Sequence, residues 1–236
     1  MKKVVNTSAL KSQIEATLAG RFKSSLKQAE APVSEFVPSG IPEIDSITGG
    51  LPRGAIAEII GPASSGRTSL LLSVLAEATQ RQELCALVDL NDALDTEAAI
   101  GMKVDFDNLL WVRCCANVGH ALKATELLLK SAGFSLVALD LGDLSAKHTY
   151  RVPLSCWFRL RGAVENTSTS LLVIEQESTA RTCASLILET KREGVKWPDT
   201  HSPARGLAMF RGLQLHIERH KPINSKVRQA NFETEF

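Results

Sequence analysis

Between Gly61 and Ser69 the chain reads GPASSGRTS. Two glycines bracket four residues, and a cation and a hydroxyl follow. The phosphate-cradling pattern G-x-x-x-x-G-K-[ST] has this spacing, with Arg67 here in the lysine's place. A glycine-rich turn between a strand and a helix exposes successive backbone N–H groups and a helix N-terminus, and both favour an anion. The candidate nucleotide-binding residues are therefore Gly61, Ser64, Ser65, Gly66, Arg67, Thr68 and Ser69. The hydroxyl of Thr68 suits a magnesium ion, whose second anchor is an aspartate closing an apolar strand. The run LVALD, ending at Asp140, supplies one. The chemistry this set predicts is the binding of ATP with Mg2+.

These residues can meet only if strands and helices alternate around them, and the pattern predicts that. Apolar runs at 55–60, 84–90, 108–114, 134–141 and 169–176 read as buried strands. Segments 69–82, 120–133 (closed by Gly133) and 157–167 read as helices between them, and 183–192 and 212–221 as later, more antiparallel strands. The fold class expected is α/β, a mostly parallel twisted sheet flanked by helices. Upstream, Leu10, Ile14, Leu18 and Phe22 recur every four residues, one apolar stripe on a helix over 8–22 with Ser8 as its cap. A polar stretch with two prolines separates this helix from the main body. Its stripe packs either on its own domain or on a neighbouring subunit. The organisation expected is a helix and linker over 1–30, a core over 31–221 and a tail over 222–236. In that tail Phe232 and Phe236 stand amid charges, as a disordered end or as a peptide hook for a partner.

Composition excludes several classes. Hydrophobic residues make up 44% and charged residues 22%, the balance of a soluble globular protein. No apolar run reaches the roughly 20 residues that span a bilayer, and MKKVVNTSALKSQ lacks the apolar region of a secretory signal. A cytoplasmic protein is expected. The five cysteines form no C-x-x-C pair, which fits reduced, mostly buried thiols and argues against zinc. A net charge of +1 gives no global signal for nucleic acid, so any such site must be a local patch. Lys147, Tyr150, Arg151, Arg159 and Arg161 are the candidates, as a contact for single-stranded DNA or as a solvated helix face.

The stretch GIPEIDSITGGLPRGAIAEIIGPASSGRTSLLL resembles the opening of the RecA recombinase core. The likeness continues through CALVDLNDALD, VDFDNLLWV, LVALDL and LLVIEQ, over roughly residues 8–221. It implies a RecA-like core and assigns roles by position. Gln176 matches the glutamine that senses the outer phosphate, and Arg219 and Lys221 match two lysines that reach into the neighbouring subunit's nucleotide. With Leu10, Ile14 and Leu18 they form the candidate subunit interface. The departures matter as much. Asn91 stands where the family has its catalytic glutamate, and an amide is no general base near neutral pH. Ala98 stands where a tyrosine covers the adenine, and Arg67's planar fork replaces a compact ammonium. The segments matching the DNA-contacting loops are short, and the family's C-terminal domain is expected to be absent.

A chain that keeps the fold and loses the chemistry resembles ImuA, the RecA-related accessory family of the mutagenic polymerase complex. That likeness implies a non-recombinase accessory in the bacterial DNA damage response, with weak or absent ATP hydrolysis. The partners it implies are RecA or an ImuB-like polymerase-complex protein, with self-association and weak single-stranded DNA contact as further expectations. Two alternatives stay open. One is a DNA-dependent ATPase with recombinase-like activity. The other is a cell-division inhibitor, since some such paralogues are described as SulA-like, with no residue behind it here.

Overall fold

The computed structural model of the chain describes residues 35–142, 152–196, 212–221 and 229–235. The predicted helix over 8–22 lies outside these residues. In chain order the elements begin with β1 (Phe36–Val37), α1 (Pro42–Thr48) and β2 (Leu51–Pro52). Then come β3 (Ile56–Ile60), α2 (Arg67–Gln80), β4 (Cys85–Asp89), α3 (Thr96–Gly101), β5 (Leu109–Arg113), α4 (Val118–Lys130) and β6 (Leu136–Asp140). The last are α5 (Leu154–Val164), β7 (Ser170–Glu175), β8 (Ala184–Lys196), β9 (Gly212–Lys221) and β10 (Gln229–Glu235).

Eight strands form one sheet in the order β10-β9-β8-β3-β7-β6-β4-β5. From β8 to β5 all neighbours run parallel, while β9 and β10 join as antiparallel partners. Leaving β3, the chain passes β7 and β6 before entering the sheet again as β4. Strands reached in this way leave a crevice at their carboxyl ends, where α/β folds bind ligands. The ends of β3, β6 and β4 carry the phosphate-type loop, Asp140 and Asp89.

Each face of the sheet is covered, as strands apolar on both sides require. One core gathers Ile44 and Ile47 of α1 and Leu70, Leu71, Val74 and Leu75 of α2 against Ile59, Leu87 and Leu172. Burying each such leucine contributes about 1.5–3 kcal/mol. The other packs Leu128, Leu129, Trp157 and Leu160 of α4 and α5 against Val88, Leu139 and Val173. Helix starts are capped where the sequence allows. Asp95 accepts from Glu97 N and Ala98 N at α3, and Asn117 accepts from His120 N at α4.

Several boundaries differ from the sequence reading, and three of them have a local cause or a consequence. Helix α4 ends at Lys130, not at Gly133, because the Ser131 hydroxyl returns to the Leu127 carbonyl at 2.7 Å and Ala132 already turns left-handed at φ 39°. Helix α5 starts three residues earlier than expected, directly after Pro153, whose fixed φ of −60° suits a helix entry. The third lies in the expected tail. Residues 229–235 form β10, paired with β9 from Gln229↔Glu218 to Glu235↔Gly212. Phe232 is buried in the core beside Leu215 and Ile217, so it is neither a hook nor part of a loose end.

Candidate functional site

The loop between β3 and α2 is built for close backbone approach. Gly61 has φ 153° and Gly66 φ 92°, and a Cβ on Gly61 would lie 2.5 Å from the Thr190 carbonyl oxygen. The Ser65 hydroxyl meets Thr190 Oγ1 at 2.8 Å, and Thr190 donates to the Ile60 carbonyl at 3.2 Å. The Ser65 side chain thus fastens the loop to β8, and its service to a phosphate would be through the backbone. Gly61 N donates to the Gln176 carbonyl at 3.2 Å, which ties the loop to the end of β7. Ser69 is buried and Thr68 exposed. Among the described residues no side chain caps the start of α2. The N–H groups of its first turn have no intrahelical acceptor, and together with the loop they fit a phosphate.

Arg67 does not extend into solvent. It is 7% exposed, and its Nη1 donates to the Gly142 carbonyl at 3.2 Å, just past β6. Gln176 Nε2 donates to the same carbonyl at 3.3 Å. Asp140 Oδ1 accepts from Gly142 N at 2.8 Å. A Cβ on Gly142 would stand 2.9 Å from that carboxylate oxygen and 3.3 Å from Arg67 Nη1. Guanidinium and carboxylate therefore converge on one glycine, and a side chain there would have to push one of them aside. Arg67, Thr68, Asp140 and Gly142 share a small pocket of about 60 Å³ with Asp89, Asn91 and the apolar Leu71, Leu87, Leu94 and Ile174.

A magnesium ion prefers a nearly ideal octahedron of oxygens. Here the Asp140 carboxylate already accepts a backbone N–H, and the Arg67 cation stands at the same glycine. The Thr68–Asp140 pair expected from the sequence thus offers a divalent ion one partly engaged carboxylate with a cation beside it.

Asp89 is 1% exposed and fully engaged. Its Oδ1 accepts from Asn91 N at 3.2 Å and Ala93 N at 3.1 Å, and its Oδ2 from Leu94 N at 3.0 Å and Trp111 Nε1 at 3.2 Å. It shapes the turn that presents Asn91 and cannot easily turn to a substrate. Asn91 is exposed on the pocket's rim. Ala98 lies half-buried on α3, packed against the core.

The sequence reading missed a second acidic pair. Glu58 of β3 and Glu175 of β7 are both 0% exposed. Glu58 accepts from the Ser178 hydroxyl at 2.6 Å, Thr179 N at 3.1 Å and Ala180 N at 2.6 Å. Glu175 accepts from Thr179 N at 2.9 Å and its hydroxyl at 2.5 Å. Burial, then a hydrogen bond and charge from Glu58, hold the Glu175 carboxyl well above the usual range, against the opposing bonds from Thr179. A lone acid inside each of two apolar runs, AIAEII and LLVIEQ, was the available signal.

The remaining candidates fall in separate places. Arg219 does not reach outward: it is 6% exposed and donates to the Ile47 carbonyl of α1. Alternation along β9 puts it on the core face with Leu215 and Ile217. Lys221 donates to the Arg181 carbonyl at 2.7 Å, within its own chain. The opposite face of β9 carries Glu218 and His220. His220 meets Glu189 at 2.7 Å, and Lys191 lies 3.2 Å from the same carboxylate. Arg159 pairs with Glu126 at 2.5 Å and Arg161 with Glu165 at 3.7 Å, so both basic side chains already have acidic partners. Lys147, Tyr150 and Arg151 lie outside the described residues. The five cysteines are free, with Cys85, Cys114 and Cys183 buried; burial pushes the Cys114 thiol up to about 11. No helix among the described residues is long and apolar enough to cross a membrane.

Comparison with known proteins agrees with this architecture. The family model of the RecA N-terminal domain matches residues 7–153. Protein RecA of Aquifex pyrophilus is 29% identical over 226 residues, covering 88% of this chain and 61% of the relative. Protein RecA of Campylobacter hominis is 31% identical over 185 residues, 72% of this chain and 50% of the relative. Protein RecA of Wigglesworthia glossinidia brevipalpis is 35% identical over 146 residues, 55% and 43% of the two chains. The chain thus spans about three-fifths of these relatives or less. A phosphate-type loop between β3 and α2, acids closing β4 and β6, and a match over more than half its length together place this chain in the RecA family.

Proposed function

We propose that this protein is a non-recombinase, RecA-like accessory of the bacterial DNA damage response, similar to ImuA and acting in translesion synthesis. It holds a nucleotide weakly through the loop at 61–69, with little or no hydrolysis, and works through protein contacts with RecA or an ImuB-like polymerase-complex protein. The observation that carries this reading is that, among the described residues, the pocket holds no group positioned to activate water. Asn91 is an amide, and Asp89 is committed to four N–H donors.

The intact loop and the placement of Gln176 beside it favour one second reading, a DNA-dependent ATPase that pairs strands. Mixing the purified chain with homologous strands and ATP, alone and with RecA, separates the two. The accessory reading expects binding to RecA or to an ImuB-like protein and no joint molecules formed by the chain alone. ATP-dependent pairing by the chain alone would replace it with the recombinase reading.

A further inference from the structure

We propose that Arg67 does the work of a divalent ion in this loop, so that the chain takes a nucleoside polyphosphate without a metal. The inference rests on the nucleotide-binding reading above and adds to it how charge is balanced. Three features carry it. The first is the position of Arg67, at the first residue of α2 and yet 7% exposed, with its guanidinium turned into the pocket toward Gly142. The second is Asp140, whose Oδ1 is occupied by Gly142 N while the guanidinium stands on the same glycine. The third is Asp89, the pocket's other carboxylate, which is consumed by four N–H donors.

A divalent ion entering here would find one partly engaged carboxylate and a fixed positive charge beside it, and like charges in a partly buried site repel. A guanidinium is always charged and binds phosphate oxygens through parallel N–H bonds, so it can neutralise the ligand itself. A lysine in its place has the same charge but a compact ammonium that cannot bond two phosphate oxygens in parallel, so it would leave more of the ligand's charge to a separate ion.

The test is calorimetric titration of the full chain with ATP, in excess magnesium and in excess EDTA, for wild type and Arg67→Lys. Wild-type affinity should differ between the two buffers by less than about fivefold, and Arg67→Lys should gain more than that on adding magnesium. A wild-type loss of about fivefold or more on chelation overturns the inference and leaves nucleotide binding standing. Absence of ATP binding in both buffers removes the nucleotide reading and the inference with it. The wild-type comparison decides the matter even if Arg67→Lys fails to fold.

Discussion

Two pairs of acids sit on neighbouring strands of the sheet, and they are held in opposite ways. Asp89 and Asp140 stand side by side on β4 and β6, as register partners. Backbone and indole N–H groups surround the first, and a backbone N–H and the Arg67 guanidinium meet the second at Gly142. Glu58 and Glu175 stand on β3 and β7 with neutral donors around them, and among the described residues no cation pairs with either. A buried acid given a cation or several N–H groups has its charge balanced, whereas a buried acid facing another acid keeps a proton. The aspartates thus shape a pocket beside the loop at 61–69. The glutamates lock the segment after Gln176 to the sheet beneath it.

Breaking the glutamate lock should cost the most. Glu58→Ala strips the acceptor from Ser178 Oγ, Thr179 N and Ala180 N, and leaving such groups buried costs about 3 kcal/mol or more. Urea denaturation should show this as a lower midpoint with an unchanged slope. Near-wild-type stability would mean that the segment after Gln176 is held by other contacts.

The proton on Glu175 makes a second prediction, with a defined sign. Its folded pKa is raised, so the native state binds a proton that the unfolded chain has released. The contribution of this group to stability is therefore greatest below the ordinary glutamate range and falls as pH rises toward the raised value, by at most about 1.4 kcal/mol per pH unit. Thermal unfolding followed across that window should slope downward in wild type and flatten in Glu175→Gln, which keeps a neutral hydrogen-bonding side chain. An equal slope in both proteins would place the linkage elsewhere.

On the other side of the comparison, Asp89→Asn should cost about 1–3 kcal/mol, because an amide nitrogen replaces one acceptor oxygen in front of N–H donors. Hydrogen exchange should quicken at Asn91, Ala93 and Leu94 while β3 stays protected. Uniform exchange across the sheet would instead mean global loosening.

The smallest effect belongs to an acid outside both pairs. Glu126 faces Lys130, Arg159 and Lys123; the bond from Lys130 leads in holding its carboxyl down, at about 2. Arg159→Ala should raise that pKa and, because the arginine is largely exposed, cost less than about 1 kcal/mol. Titration by NMR in the two proteins reads the shift directly.

The contrast between the pairs also marks what the sequence could reveal. The loop at 61–69 and the strand ending at Asp140 were legible because their chemistry depends on local spacing. The parallel strands were legible because burial on both faces leaves uninterrupted apolar runs. Glu58 and Glu175 were not, since each is one acid in such a run and only the pairing of β3 with β7 brings them together. Arg219 was misread from the resemblance, although its even spacing from Leu215 and Ile217 already put it on the core face. The strand at 229–235 was hidden because Ala230 and Phe232 are its only apolar residues, too few to stand out amid charges. The role of Gly142 emerges only when Arg67 and Asp140 are seen on either side of it.

The central claim is that the pocket has kept its phosphate cradle and lost its hydrolytic chemistry. Steady-state ATP turnover by the purified chain, with and without single-stranded DNA, tests it most directly. The account predicts turnover far below that of RecA assayed alongside, with no stimulation by DNA and no further loss in Asp140→Ala. Turnover comparable with RecA, stimulated by DNA and abolished by Asp140→Ala, would contradict it.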